Sequence, residues 1–495
     1  MIRRVLAAAC LAVVPAAPAA AQQRLGTVHF PTSAAPVAQA HFERGVKLLH
    51  SFEYADAAQA FLAAQQAEPG FALAYWGEAM TYTHPLWNEQ DLPRARAALA
   101  RLGPTPEARA ATAPTPRERA YLAAVEALYG EGSKPRRDTL YLRAVEQLVA
   151  AYPDDDEAKA FQALALMGLS QGTRDVPAYM RAGAIALELL GRHPDHPGAA
   201  HYVIHAFDDP VHAPLGLPAA RAYSRIAPDA DHAQHMTTHI FLALGMWPEV
   251  VAQNTVAQDG VGGAWFPGHY THWLHYGLLQ QGKFDEAAAL LERVRSGPLN
   301  PGRRAHLLLM RAQQVINAEQ PDAPSLAWPV ETAGLGPWGL AQEAFARGWV
   351  ALRRGDAPAA ERRAAELDAL AQRAASLDPM DRMRGTSAVP AIMAKELRAL
   401  LHDAAGRRAD ALALAREAAE AEAALPMEFG PPDVVKPGFE LLGELLLAAG
   451  DERGAQAAFE RSLALAPNRL RSRQGLARTL LSATTPAASR NPSAR

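Results

Sequence analysis

Eleven of the seventeen histidines in this 495-residue chain fall between His193 and His275. His201 and His205 stand four apart, His232, His235 and His239 follow at three and four, and His269, His272 and His275 at three and three. Such spacings put side chains on one face of a helix. His201 to His235 and His205 to His239 are both 34 residues, and His232 to His269 and His235 to His272 both 37. A recurrence near 34 is the period of a helix–turn–helix repeat. One face of three consecutive repeat helices is therefore armed with imidazoles. Two nitrogens on one helix can share an ion, and a neighbouring helix can add a third. The expected metal ligands are His201, His205, His232, His235, His239, His269 and His272.

The elements around them narrow the chemistry. Arg3 and Arg4, the apolar run 5–14 and Ala19-Ala20-Ala21 before Gln22 read as a secretory signal over 1–21, which predicts a periplasmic or secreted protein. The run is too short to span a membrane. Cys10, the single cysteine, lies inside that signal; an alternative lipoprotein reading has only nine residues before it. A mature chain without cysteine has no disulfide, no thiolate nucleophile and no sulfur-held metal. Nitrogen and oxygen must then hold any ion, which leaves zinc, copper, iron, nickel and manganese open. A formal charge of −3, with no basic stripe carrying interleaved aromatics, argues against nucleic acid.

After an extended lead (22–37), Gly45, Ala57, Phe61, Ala64 and Pro69 occupy positions 8, 20, 24, 27 and 32 of a unit that starts at Ala38. Gly443, Ala455, Phe459 and Pro467 repeat them near the other end. These residues resemble the motif of the tetratricopeptide repeat (TPR) family. The stretches AYWGEAMTYTHPLWNEQD, HYVIHAFDDP and HAQHMTTHIFLALGMW further resemble secreted bacterial TPR proteins with a histidine-rich central segment. The resemblance implies an all-α fold, a TPR-like right-handed superhelical solenoid of antiparallel helix pairs over 38–485. The histidine-rich repeats would cover 193–282, and a Pro/Ser/Ala/Arg-rich tail over 486–495 would be disordered. It assigns no reaction.

In the TPR frame the seven histidines line the concave groove, whereas His275 falls on a packing position. Trp76, Met80, His84, Trp87, Trp265 and Tyr276 are further groove candidates. Asp208, Asp209, His212 and Glu428 could supply an acid, a base or a second layer around an ion. His201-x-x-x-His205 has no glutamate between its histidines, so it is not the zinc-protease signature. Three functions remain open. An exported scaffold could hold a ligand, peptide or partner protein through a metal-binding groove. The same cluster could serve a metal-dependent hydrolase or oxidoreductase, or the groove could be a metal-free protein–protein interaction surface. Leu425 to Pro437, with four prolines, could fold across the groove.

Overall fold

A computed structural model describes residues 23–170, 174–262, 265–297, 299–376, 387–427 and 429–484. The expected signal, the tail and Glu428 lie outside them. Among the described residues there are twenty-three α-helices. The sole sheet there is a two-residue ladder, Thr83–His84 against Glu89–Gln90. No described helix is long and apolar enough to cross a membrane.

The chain is a TPR-like array of antiparallel helix pairs, and its own packing shows why the repeat residues recur. The Phe61 ring lies between two helices: a Cβ on Gly45 would stand 2.6 Å from it and one on Gly77 2.3 Å. Phe459 sits in the same way between Gly443 (2.8 Å) and Gly475 (2.3 Å). Only glycine lets the backbones approach an aromatic ring that closely.

Five of the helices end in the same turn. The amides of Met246, Lys283, Asp356, Arg407 and Asp451 bond back to the carbonyls of Phe241, Leu278, Ala351, His402 and Leu446, at 2.7–3.0 Å. The preceding residue is a left-handed glycine in all five, Gly245, Gly282, Gly355, Gly406 and Gly450. This is the helix-ending motif in which glycine relieves the Cβ clash. In the first pair, Pro36–His50 and Tyr54–Ala67, the equivalent bond runs from Glu53 to Leu48 at 3.0 Å. There Phe52 takes the glycine position, with φ 58°.

The array closes on itself at both ends. The lead residue Thr27 donates to the Asp195 carbonyl at 2.9 Å, and the Arg24 amide to Asp229 at 2.7 Å. At the other end Arg469 donates to the Tyr276 hydroxyl at 2.8 Å, and the Trp247 indole to the Asn468 carbonyl at 3.1 Å. The expected groove is thereby packed rather than open. One apolar core runs from Leu25 to Tyr276, through the helices that carry the histidines.

Candidate metal centre

Three helices and one turn build the site. Helix Pro197–Ala206 is buried along its length and carries His201 and His205. Helix Asp231–Ala243 carries His232, His235 and His239, and helix His269–Gln280 begins with His269. Their nitrogens gather into two triads, His201–His205–His232 and His235–His239–His269, each with one ring nitrogen per residue and all three within 4.8 Å of one another. His201, His205, His235 and His239 are no more than 3 % exposed; His232 is half-buried and His269 is exposed.

The turn 50–53 docks on this face. The His50 carbonyl accepts from His201 Nδ1 at 2.6 Å, and the Glu53 carboxylate accepts from the His232 amide at 2.9 Å. Between them the Phe52 ring packs 4.3 Å from His201 and 5.7 Å from both His205 and His232, centroid to centroid. A phenylalanine in left-handed backbone is strained and persists only where its surroundings hold it. Here the histidine rings do so.

Tautomers follow from the partners. A backbone carbonyl can only accept, so His201 Nδ1 carries the proton and Nε2 is left as a lone pair. The Asn254 amide nitrogen donates to the Val250 carbonyl at 3.0 Å, which turns its oxygen to His235 Nδ1 at 2.7 Å. The Asp208 carboxylate holds His239 Nδ1 at 2.5 Å. Both outer atoms orient the ring and make Nε2 the ligand atom, as second-layer groups do in metal sites. The buried Nε2 atoms of His201, His205 and His232 have no hydrogen-bond partner. Burial, reinforced by neighbouring imidazoles, pushes His201 down to about 3 and holds His205, His232 and His235 well below the ordinary imidazole range. These four rings are therefore neutral near pH 7, the form that binds a metal. Orphaned buried nitrogens cost free energy unless something fills the space between them.

The structure does not bring His272 into either triad. Its Nε2 faces Gln313 Oε1 at 3.1 Å, toward the next helix. His275 is fully buried with Nε2 on Gln314 at 3.1 Å, in keeping with a packing position. Trp76 and Met80 lie in the core, Trp76 against Phe30, Phe42, Tyr121 and Phe161. Tyr276 is buried against Trp247 and Arg469. The Trp265 ring lies under the Arg293 guanidinium at 3.5 Å, and His84 stacks on Tyr54 at 4.0 Å. None of these five faces the triads. Trp87 does: it is 40 % exposed and 6.1 Å from His232, at the rim. Asp208 reaches the site through His239, whereas Asp209 is taken up by Arg174 and His212, both at 2.8 Å.

Sequence reasoning missed the lining aromatics. Tyr270 stacks on His235 at 4.5 Å, and Trp273 lies 4.5 Å from His239. The proline-rich segment folds across the site: Phe429 is 5.5 Å from His239, and a Cβ on Gly430 would meet the Trp273 ring at 2.7 Å. A pocket of about 80 Å³ adjoins it, lined in part by Asp208, Tyr276 and Phe429. A larger cavity, about 680 Å³, lies elsewhere, between the lead and the His193 turn. It is lined by ion pairs, Arg117 with Asp155 at 2.6 Å and His193 with Asp156 at 2.5 Å.

His50, Glu157 and His196 form a third buried group. Glu157 accepts from His50 at 2.8 Å and from His196 at 3.2 Å. The other nitrogens are used as well, His50 Nδ1 by Tyr202 Oη at 2.8 Å and His196 Nδ1 by the Ala199 amide at 3.1 Å. Every ring nitrogen is satisfied by protein. This group locks the turn that orients His201 and leaves no vacancy for an ion.

No family model and no curated protein matches the chain. Among solved structures it is similar to yeast Tom70, at 11% identity over 90% of this chain and 95% of that one, with TM-score 0.33. The human IFIT1 dimer with PPP-AAAA gives 13% identity, 92% of each chain and TM-score 0.37. The APC/C hetero-tetramer Cut9–Hcn1 gives 11%, 90% and 76%, and 0.35. Overlaps this low assign neither ligand nor partner. The TPR-like character of this chain rests on its own turns and glycine–phenylalanine contacts, and its histidines lie inside the array.

Proposed function

We propose that the chain is an exported metalloprotein in which a TPR-like array encloses a transition-metal site among the histidines of the two triads. One observation carries this reading: three buried Nε2 atoms, from His201, His205 and His232, converge without a protein partner. A structural histidine cluster is expected to satisfy its own nitrogens, as His50, Glu157 and His196 do. The nitrogen-only donor set suits zinc, copper, nickel or iron better than the oxygen-seeking ions.

A metal-dependent enzyme is the second reading, favoured by the exposed edge. His269 is solvent-exposed, His232 half-buried and Trp87 exposed at the rim, so a small molecule can reach an ion from that side. Three protein ligands with an open position is the pattern of catalytic rather than structural sites. The peptide groove is disfavoured, because the surface it needs is filled by the 50–53 turn and the 425–437 segment.

The test is elemental analysis of the mature protein purified without a histidine tag. Bound metal is expected in the parent and a lower content in a His201→Ala, His205→Ala double variant, which keeps only the second triad. At a free metal concentration near a thousand times Kd, binding should stabilise the parent by about 4 kcal/mol and the variant less. A parent that holds no metal and gains no stability from added zinc, copper or iron would leave a metal-free interaction scaffold.

A further inference from the structure

The two triads are one cluster in space. His205 of the first lies 5.7 Å from His239 of the second, and His232 lies 6.2 Å from His235, between ring centroids. Contacts inside the second triad span 4.5–6.2 Å, so the gap between triads is no wider than the gaps within one. His232 and His235 are also one turn apart on the same helix, which feeds both sides.

We propose that the triads hold two transition-metal ions side by side, as a dinuclear centre with a small anionic oxygen ligand between them. This rests on the reading of the triads as metal sites and goes further in number and ligand.

The second triad supplies the independent evidence. His235 Nε2 and His239 Nε2 face each other at 3.1 Å, and the Nδ1 atoms of both rings are committed, to Asn254 and to Asp208. Each ring therefore points a lone pair at the other. Two lone pairs repel at that distance unless a cation lies beside both. Metal–nitrogen bonds of about 2.0–2.1 Å at a tetrahedral ion place neighbouring nitrogens about 3.3 Å apart. The first triad makes the same demand through its three unpartnered Nε2 atoms. Filling one triad leaves the other unsatisfied.

Charge identifies the bridging ligand. Six imidazoles offset none of the charge of two divalent ions. Among the described residues, the carboxylates bonded to triad residues are Asp208, behind the His239 ring, and Glu53, on the His232 amide, too few to balance two dications. The walls are the rings of Phe52, Tyr270, Trp273 and Phe429. Two dications in such a setting require an anion, since uncompensated buried charge is costly. A water-derived hydroxide or another small oxygen anion fits, because metal ions lower the pKa of bound water strongly. Anything as large as a peptide is excluded by Phe429 and Phe52.

The test uses the full mature chain, stripped by chelator and titrated with Cu²⁺ alone. Two equivalents should survive desalting, and the paramagnetic resonance signal should integrate to well under two isolated spins. His269→Ala, at an exposed helix start, should bind one equivalent and show an isolated-ion spectrum. His232→Ala probes the same loss from the other triad should the first variant fail to fold by circular dichroism. A folded parent that binds one equivalent overturns the pair while leaving the metal reading intact, a shared proton then filling the His235–His239 gap. Two equivalents with the full signal of two isolated ions also overturn it. No bound copper removes both readings.

Discussion

At the scale of the residue, the histidines matter less for their number than for which nitrogen each has left over. His235 illustrates this. Asn254 is fully buried, its amide is held by Val250, and its oxygen fixes the imidazole in the tautomer that frees Nε2. Asn254→Ala should therefore weaken metal affinity about 10- to 100-fold with all six histidines intact. A chelator competition measures it; an unchanged affinity would show that His235 is not oriented by this bond. Nothing in the sequence marks Asn254 as a partner of His235, nineteen positions away. The histidine run itself was legible, and six of its seven expected ligands meet. His272 does not, because the 37-residue step to the third helix shifts it by nearly one turn relative to the 34-residue step before. His269 thus reaches back to His235 and His239, and His272 faces Gln313.

At the scale of the element, the turn after the first helix is where fold and site conflict. Five equivalent turns place glycine in the left-handed position, and this one places Phe52. The side chain is 7 % exposed and packed on the first triad, so truncation opens a cavity, and only glycine also removes the strain. Phe52→Ala loses the ring and keeps the Cβ clash, whereas Phe52→Gly loses both. The glycine variant should be the more stable of the two by about 1 kcal/mol. Both should fall below the parent by a few kcal/mol. Denaturant midpoints decide it, and an alanine variant as stable as the glycine one would mean that the turn carries no strain. The sequence reading did not single out Phe52, because its partners His201, His205 and His232 lie far along the chain.

At the scale of the whole molecule, the array is tied into a closed body by segments far apart in sequence. The 425–437 segment covers the histidines with Phe429 and anchors itself through Asp433, which accepts from the Trp338 indole at 3.1 Å. Burial raises the Asp433 carboxyl from 3.8 to about 6, with the Trp338 bond only partly opposing it. Because the folded value lies above the unfolded one, this group's contribution is fully present below about pH 4 and is lost as pH rises through 6. Asp433→Asn keeps an acceptor for Trp338 and cannot ionise. It should match the parent near pH 4 and exceed it by about 1–3 kcal/mol at pH 8, the figure discounted for partial exposure. Chemical denaturation of both proteins at the two pH values tests this. A difference that does not grow with pH would mean that Asp433 is not held in its protonated form.

Local chemistry wrote the helices into the sequence. Glycine, alanine and phenylalanine at fixed repeat positions act within one or two helices, where close backbone approach and left-handed turns depend only on near neighbours. The same holds for the face on which the histidines stand, a consequence of helical spacing. What the histidines face was decided by tertiary structure alone. An array with open ends would show them to solvent as a groove; here the 50–53 turn and the 425–437 segment cover them. Closure depends on long-range contacts such as Arg469 with Tyr276, 193 residues apart, and Thr27 with Asp195. No short-range periodicity encodes such pairings. They arise only when the whole chain has folded and apolar surface from both ends is buried against the middle.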